Sequence, residues 1–285
     1  MWNNLKTTVL LAGMTGLLLV IGQAWRGRQG LEMALVIAAI MNLGSYFFSD
    51  KIALRMSNAQ PISRDEAPRI YAIVERLAAK ANIPVPKIYL IQTDSPNAFA
   101  TGRNPNHASV AVTRGILDLC DDEEIEGVLA HELGHVRNRD ILISAVVATL
   151  AGAITMIARM LWWGEMFAGF GGGGDDDQRG GVFSAIAMMI LAPLAATLIQ
   201  LAISRSREYE ADETGARITG NPRGLARALE KIDQWSKRLP MQVPPSVAHL
   251  FIYQPLTTGQ FFSSLFSTHP PIRKRIERLI NMSYT

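Results

Sequence analysis

The sequence predicts an α+β chain, mainly helical: a polytopic membrane protein with about four transmembrane helices and a compact water-facing domain. Three observations predict it. Four stretches of about 18 to 22 residues are nearly free of charge, although the 285 residues overall are 48% hydrophobic and 19% charged. Between the second and third stretches lie two short runs of strand character and a helix opened by Asp121-Asp122-Glu123-Glu124. That helix carries His131-Glu132-Leu133-Gly134-His135, whose spacing puts two imidazoles on one face.

Residues 7–25 and 31–48 form a first pair of spans, each long enough for about 30 Å of hydrocarbon. Trp2 and Trp25 stand at span ends, as interfacial aromatics do. Only Lys6 precedes the first span and no small-residue cleavage site follows it, so it reads as retained rather than as a signal peptide. Residues 65–81 read as a helix with Ile70, Ile73, Val74 and Leu77 on one face and Pro68 in its first turn. Residues 87–92 and 108–113 read as strands, with Asn97-Ala98-Phe99-Ala100-Thr101-Gly102 between them. Asp121 then caps the next helix, and Glu124, three positions on, completes a capping box.

A second pair of spans follows at 141–158 and 182–203, with Trp162 and Trp163 beside it. The first of these has almost no polar face, unlike a soluble helix. The other contains Pro193 and Gln200, which leaves a kink or partial insertion open. Residues 171–181 form a Gly- and Asp-rich linker. Asn221-Pro222 opens a helix bearing Leu225, Leu229 and Ile232, residues 239–267 read as irregular, and His269-Pro270-Pro271 starts a last helix ending near Asn281. The chain divides into a helix pair at 1–50, a first catalytic part at 51–140, a second helix pair at 141–204 and a second catalytic part at 205–285.

His131 and His135 lie one above the other on the helix, so both reach a single metal ion, and Glu132 sits where it takes a proton from water. A catalytic zinc site has three protein ligands and one open position. The other histidines are His107, His249 and His269. In the helical run 204–212, Glu208 and Asp212 are about 40° apart around the axis, while Glu210 lies about 200° from Glu208. Glu208 is therefore the candidate third ligand, and Asp212 the candidate that orients His131. Taken without the histidine motif, the same run reads as an exposed charged helix start.

HELGH, then SRSREYEAD, then STHPPIRKRI make the chain resemble the HtpX membrane metalloproteases, relatives of the CAAX prenyl endopeptidase, over essentially its whole length. The resemblance implies a zincin-like metalloprotease domain of gluzincin type, with one zinc ion on His131, His135 and Glu208 and with Glu132 as general base. It assigns His269 and Arg275 to the developing oxyanion, a role in which a donor strengthens as charge grows. The residues alone fit equally a helix-capping His269 and a surface cation at Arg275. The resemblance also makes Asn97, Ala98, Phe99 and Ala100 an edge strand that holds substrate by main-chain pairing; an ordinary hairpin strand is the other reading.

The implied activity is endoproteolysis of misfolded or damaged membrane proteins. A CAAX-type endopeptidase has more spans than this chain offers. An intramembrane protease is disfavoured by the acidic cap at 121–124 and the charged run 205–213, and a silent zinc scaffold by Glu132. Lys51, Arg55, Arg137, Arg139, Arg205 and Arg207 flank the spans on the catalytic side, against Glu165, Asp175, Asp176, Asp177 and Arg179 on the other. The positive-inside rule makes the catalytic side cytoplasmic, in the inner (cell) membrane, with Arg26 and Arg28 as the opposing charges. One cysteine, Cys120, fits a reducing compartment. The partners are the lipid bilayer and unfolded or misfolded membrane-protein substrates; the net charge of +3 belongs to juxtamembrane residues, and no nucleic-acid module is visible.

Overall fold

The computed structural model describes residues 2–168, 205–253 and 270–282. The expected span at 182–203, the linker at 171–181 and His269 lie outside the described residues.

Helix α1 (Trp2–Met56) is two arms joined at a bend, where Arg26 and Gly27 leave helical geometry and Gly27 takes φ +57°. The arms fold back on each other. Gly22 and Gly30 meet across the bend, where an added Cβ on Gly22 would lie 2.4 Å from the Gly30 carbonyl oxygen, and Asn42 donates to the Thr15 hydroxyl at 2.8 Å. Among the described residues one helical segment, Arg26–Met56, is long and apolar enough to cross a membrane. Only 17% of its most apolar window is buried, so Leu35, Val36, Ile40 and Phe47 face outward. A core helix of a soluble protein would bury that face. The other arm packs on helix α5 (Ile141–Ala168) through Leu10, Met14, Val146, Val147 and Leu150.

Strands β1 (Ala59–Pro61), β2 (Lys87–Ile91), β3 (Ala98–Gly102) and β4 (Ala108–Thr113) form one sheet in the order β1-β2-β4-β3. The β2–β4 pair is parallel and the others antiparallel, so β3 stands at an edge. Helix α2 (Pro68–Ala81) lays Ile70, Ile73, Val74 and Leu77 into the core beneath the sheet, the face its periodicity indicates. A short helix α3 (Arg114–Leu119) leads into α4 (Asp122–Arg137), the central helix. Its capping box forms in both directions: the Glu124 amide donates to Asp121 and the Asp121 amide to Glu124, each at 2.9 Å.

Helix α4 is buried over most of its length because α6 (Arg205–Thr219) and α7 (Pro222–Ser236) pack on it beside the sheet. Leu129 and Leu133 are fully enclosed, each contributing about 2 kcal/mol by removal from water. The approach is close because glycines line it. A Cβ on Gly215 would lie 2.8 Å from the His131 amide, and one on Gly127 2.5 Å from the Leu225 amide. The stretch expected to be irregular contains one turn of helix, α8 (Pro245–Ala248), and the last helix is α9 (Ile272–Ile280).

Candidate active site

Two turns into α4, His131 and His135 project from one face with their Nε2 atoms 3.2 Å apart. Helix α6 brings Glu208 opposite them, one carboxylate oxygen 3.8 Å from the His131 Nε2 and the other 3.6 Å from the His135 Nε2. Each residue offers a ligand atom within 4.8 Å of the other two. Ligands at zinc distances in a tetrahedron are separated by about 3.3 Å, and two imidazoles with one carboxylate are a zinc-type donor set, so these residues fit the ion. Glu210, two residues on, is exposed and points away.

The Nδ1 atoms face carboxylates. His131 Nδ1 lies 2.9 Å from Asp212, and His135 Nδ1 lies 3.2 Å from Asp140. A carboxylate on Nδ1 sets the tautomer that leaves Nε2 as the ligand atom. Asp212 in turn receives two bonds from Arg275, at 2.9 and 2.7 Å. Arg275 is fully buried rather than a surface cation; its remaining donors reach the Ile252 carbonyl at 3.2 Å and approach Glu208 at 3.6 Å.

Charge and burial set the proton affinities. Burial, and then the Arg275 charge, push His131 down to about 4. His135 is pushed the other way, to about 9, because its bond to Asp140 and the Glu208 charge outweigh burial. Glu132 is 2% exposed, and burial followed by the Glu208 charge raises it to about 7. A carboxyl poised there suits general base work near neutral pH.

The edge strand reaches this carboxyl. The β3–β4 register and the Thr113 amide bond to the Asn97 carbonyl turn the main-chain groups of Ala98 and Ala100 away from β4. The Ala100 amide bonds to Glu132, and the Ala98 carbonyl accepts from the Ile252 amide at 2.9 Å. The Asn97 side chain is spent on the chain itself, donating to the Tyr253 carbonyl at 2.7 Å and accepting from its amide. Phe99 is a core residue stacked edge-on against Phe251.

Asp140 was not legible in the sequence. It follows the end of α4, beyond the reach of helix periodicity, and returns to His135 only because Arg139 adopts a left-handed φ of +60° and the Asp140 amide closes on the His135 carbonyl. The available signal is an acid flanked by cations at the foot of an apolar stretch, which a solvated charge explains as well.

A helix bearing paired imidazoles, set between an edge strand and an acidic second helix, defines a metallopeptidase. Residues 64–283 match the family described as Peptidase family M48, and the chain belongs to that family. It is 56% identical over 281 residues, 98% of this chain and 90% of the relative, to the Protease HtpX homolog of Desulforapulum autotrophicum. It is 55% identical over 283 residues, 99% of this chain and 100% of the relative, to that of Syntrophobacter fumaroxidans. The fold is similar to the crystal structure of S. mikatae Ste24p at a TM-score of 0.50 and 20% identity, covering 96% of this chain. This chain spans 64% of Ste24p, under two thirds of its length. The protein is thus a metalloendopeptidase of the HtpX type.

Proposed function

We propose that the chain is a zinc endopeptidase anchored in the inner membrane that cuts misfolded or damaged membrane proteins from the cytoplasmic side. The observation that carries it is the meeting of three donors, His131, His135 and Glu208, with a buried carboxyl at Glu132 that the Ala100 amide of the edge strand reaches. Those three residues would hold the ion, which when bound polarises the scissile carbonyl and acidifies water. Glu132 takes the proton from water and passes it to the leaving amine. The edge of β3 at Ala100, beyond the point where Ile252 takes the Ala98 carbonyl, aligns an extended substrate by main-chain bonding, which favours unfolded chains and is nearly blind to sequence. Asp212 and Asp140 orient the two imidazoles. Arg275 acts through Asp212 and the ligands, and its complete burial suits positioning better than direct contact with a substrate oxyanion; that role falls to His269.

The outward apolar face of α1 supports a helix hairpin in lipid, and four spans follow if 141–158 and 182–203 form the second pair. Purified zinc-loaded protein should digest an unfolded polypeptide, while Glu132→Ala keeps its zinc and loses turnover. Cleavage retained by a Glu132→Ala protein would refute the assignment. Cysteines placed at Gly172 and Asn221 test the side: an impermeant reagent added outside intact cells should label the first only.

A further inference from the structure

Exposed arginines on the water-facing part divide in two: Arg69 meets Asp122, Arg76 meets Glu126 and Arg114 meets Asp94, whereas Arg55, Arg223, Arg238 and Arg273 form no ion pair among the described residues. Arg137 and Arg139 are exposed, and among the described residues no acid forms an ion pair with either. They line instead a cavity of about 480 Å³ with Asn82, Asn104 and Asn106, and no acidic residue shares its wall. Arg139 is held there at φ +60°, a backbone state that residues with a Cβ disfavour.

The position of the cavity is specific. Arg103, next to Asn104 on its rim, lies over the ring of Phe47 in the apolar arm of α1, 5.6 Å from the centroid. Arg139 stands two residues before Ile141, where apolar α5 begins. The pocket therefore lies beside the residue that contacts the apolar arm of α1 and directly before the apolar start of α5. Helices α2 and α4 end at it, and their C-termini each carry about half a negative charge. Their closing carbonyls already accept bonds from the amides of Asn82, Ile83, Asn138, Arg139 and Asp140, so two full guanidinium charges prevail.

We propose that this pocket binds the phosphate of an anionic lipid headgroup. Arg137 and Arg139 supply forked cationic donors matched to phosphate oxygens, and the asparagine amides supply neutral ones. The inference rests on the reading of α1 as a membrane helix. It has a catalytic consequence: the turn that presents Arg137 and Arg139 also carries Asp140, which orients His135. A bound headgroup steadies that turn, and turnover rises in anionic membranes.

The test uses zinc-loaded full-length protein in detergent, titrated separately with short-chain phosphatidylglycerol, short-chain phosphatidylcholine and inorganic phosphate. Cleavage of an unfolded substrate is then followed in vesicles with and without phosphatidylglycerol. Phosphatidylglycerol should bind saturably and phosphatidylcholine should not. Arg137→Gln and Arg139→Gly should each weaken binding about fivefold, and the double variant about 25-fold, with the rate gain in anionic vesicles lost. Arg139→Gly also relieves the left-handed backbone. Loss of binding in a variant of unchanged melting temperature therefore separates the site from misfolding. Removing two cations elsewhere, in Arg273→Gln/Lys274→Gln, should alter binding less than twofold. Phosphatidylglycerol affinity unchanged in the double variant overturns the site, and inorganic phosphate binding as tightly with the same arginine dependence overturns the lipid as its source. Flotation with vesicles keeps the underlying reading separate: wild-type protein that fails to float refutes the membrane helix, whereas floating protein without arginine dependence refutes only the pocket.

Discussion

Asp212 and Arg275 form the deepest ion pair beside the site, 2% and 0% exposed in their side chains. Breaking such a pair by removing one partner leaves an uncompensated buried charge and costs about 3–5 kcal/mol. Arg275→Met and Asp212→Asn should therefore each lower the melting temperature of the metal-free protein by about 6–20 °C, at about 2–4 °C per kcal/mol for a domain this size. The double variant buries no lone charge, so its loss should fall short of the sum of the single losses by about 1–3 kcal/mol. Burial favours a neutral Asp212, but the Arg275 charge and the His131 bond prevail and hold its carboxyl below the ordinary range. The native state thus binds this proton less readily than the unfolded chain, and the contribution present above the ordinary carboxylate value is lost as pH falls through the lowered one. Asp212→Asn should also weaken zinc binding about 10- to 100-fold through His131. Thermal melts with and without zinc, together with chelator competition, measure both effects. Additive single losses, within about 0.5 kcal/mol, would show that the two residues do not act as a unit.

Glu208→Gln should lose zinc at neutral pH while Glu210→Gln stays zinc-replete, since the first faces both histidines and the second faces solvent; metal analysis of the purified variants decides it. Asp140→Asn should reduce zinc affinity about 10- to 100-fold with little change in the circular dichroism spectrum, because it touches the ring orientation of His135 rather than the core. Zinc must displace a proton from His135, which is raised to about 9, so apparent affinity should climb about tenfold per pH unit from 6.5 toward 8.5 and flatten above; a flat profile over that window refutes the shift. Gly215→Ala should push α6 away from the His131 amide and lower zinc occupancy, whereas a fully loaded, fully active variant would show that this close approach is dispensable.

How far the sequence reached follows from the range of each interaction. Local rules located α2, β2, β4 and the capping box of α4, because side-chain periodicity, a first-turn proline and an i to i+3 cap all act within one element. The same rules chose Glu208 and Asp212 over Glu210, since helix geometry fixes which carboxylates share a face. Tertiary structure decided what depends on separate elements meeting. Arg275 reads in the sequence as an amphipathic-helix cation and becomes a fully buried partner of Asp212 only when α9 closes on α6 and Ile252 caps its guanidinium. Asn97 and Phe99 lie on the expected edge strand, yet the strap at 251–253 claims both side chains and the Ala98 carbonyl as well, while the Ala100 amide turns to Glu132. Asp140 joins His135 through a left-handed turn at Arg139 that no propensity favours. Helix and strand periodicities are written into neighbouring residues, whereas a buried charge is tolerated only where another part of the chain arrives to neutralise it.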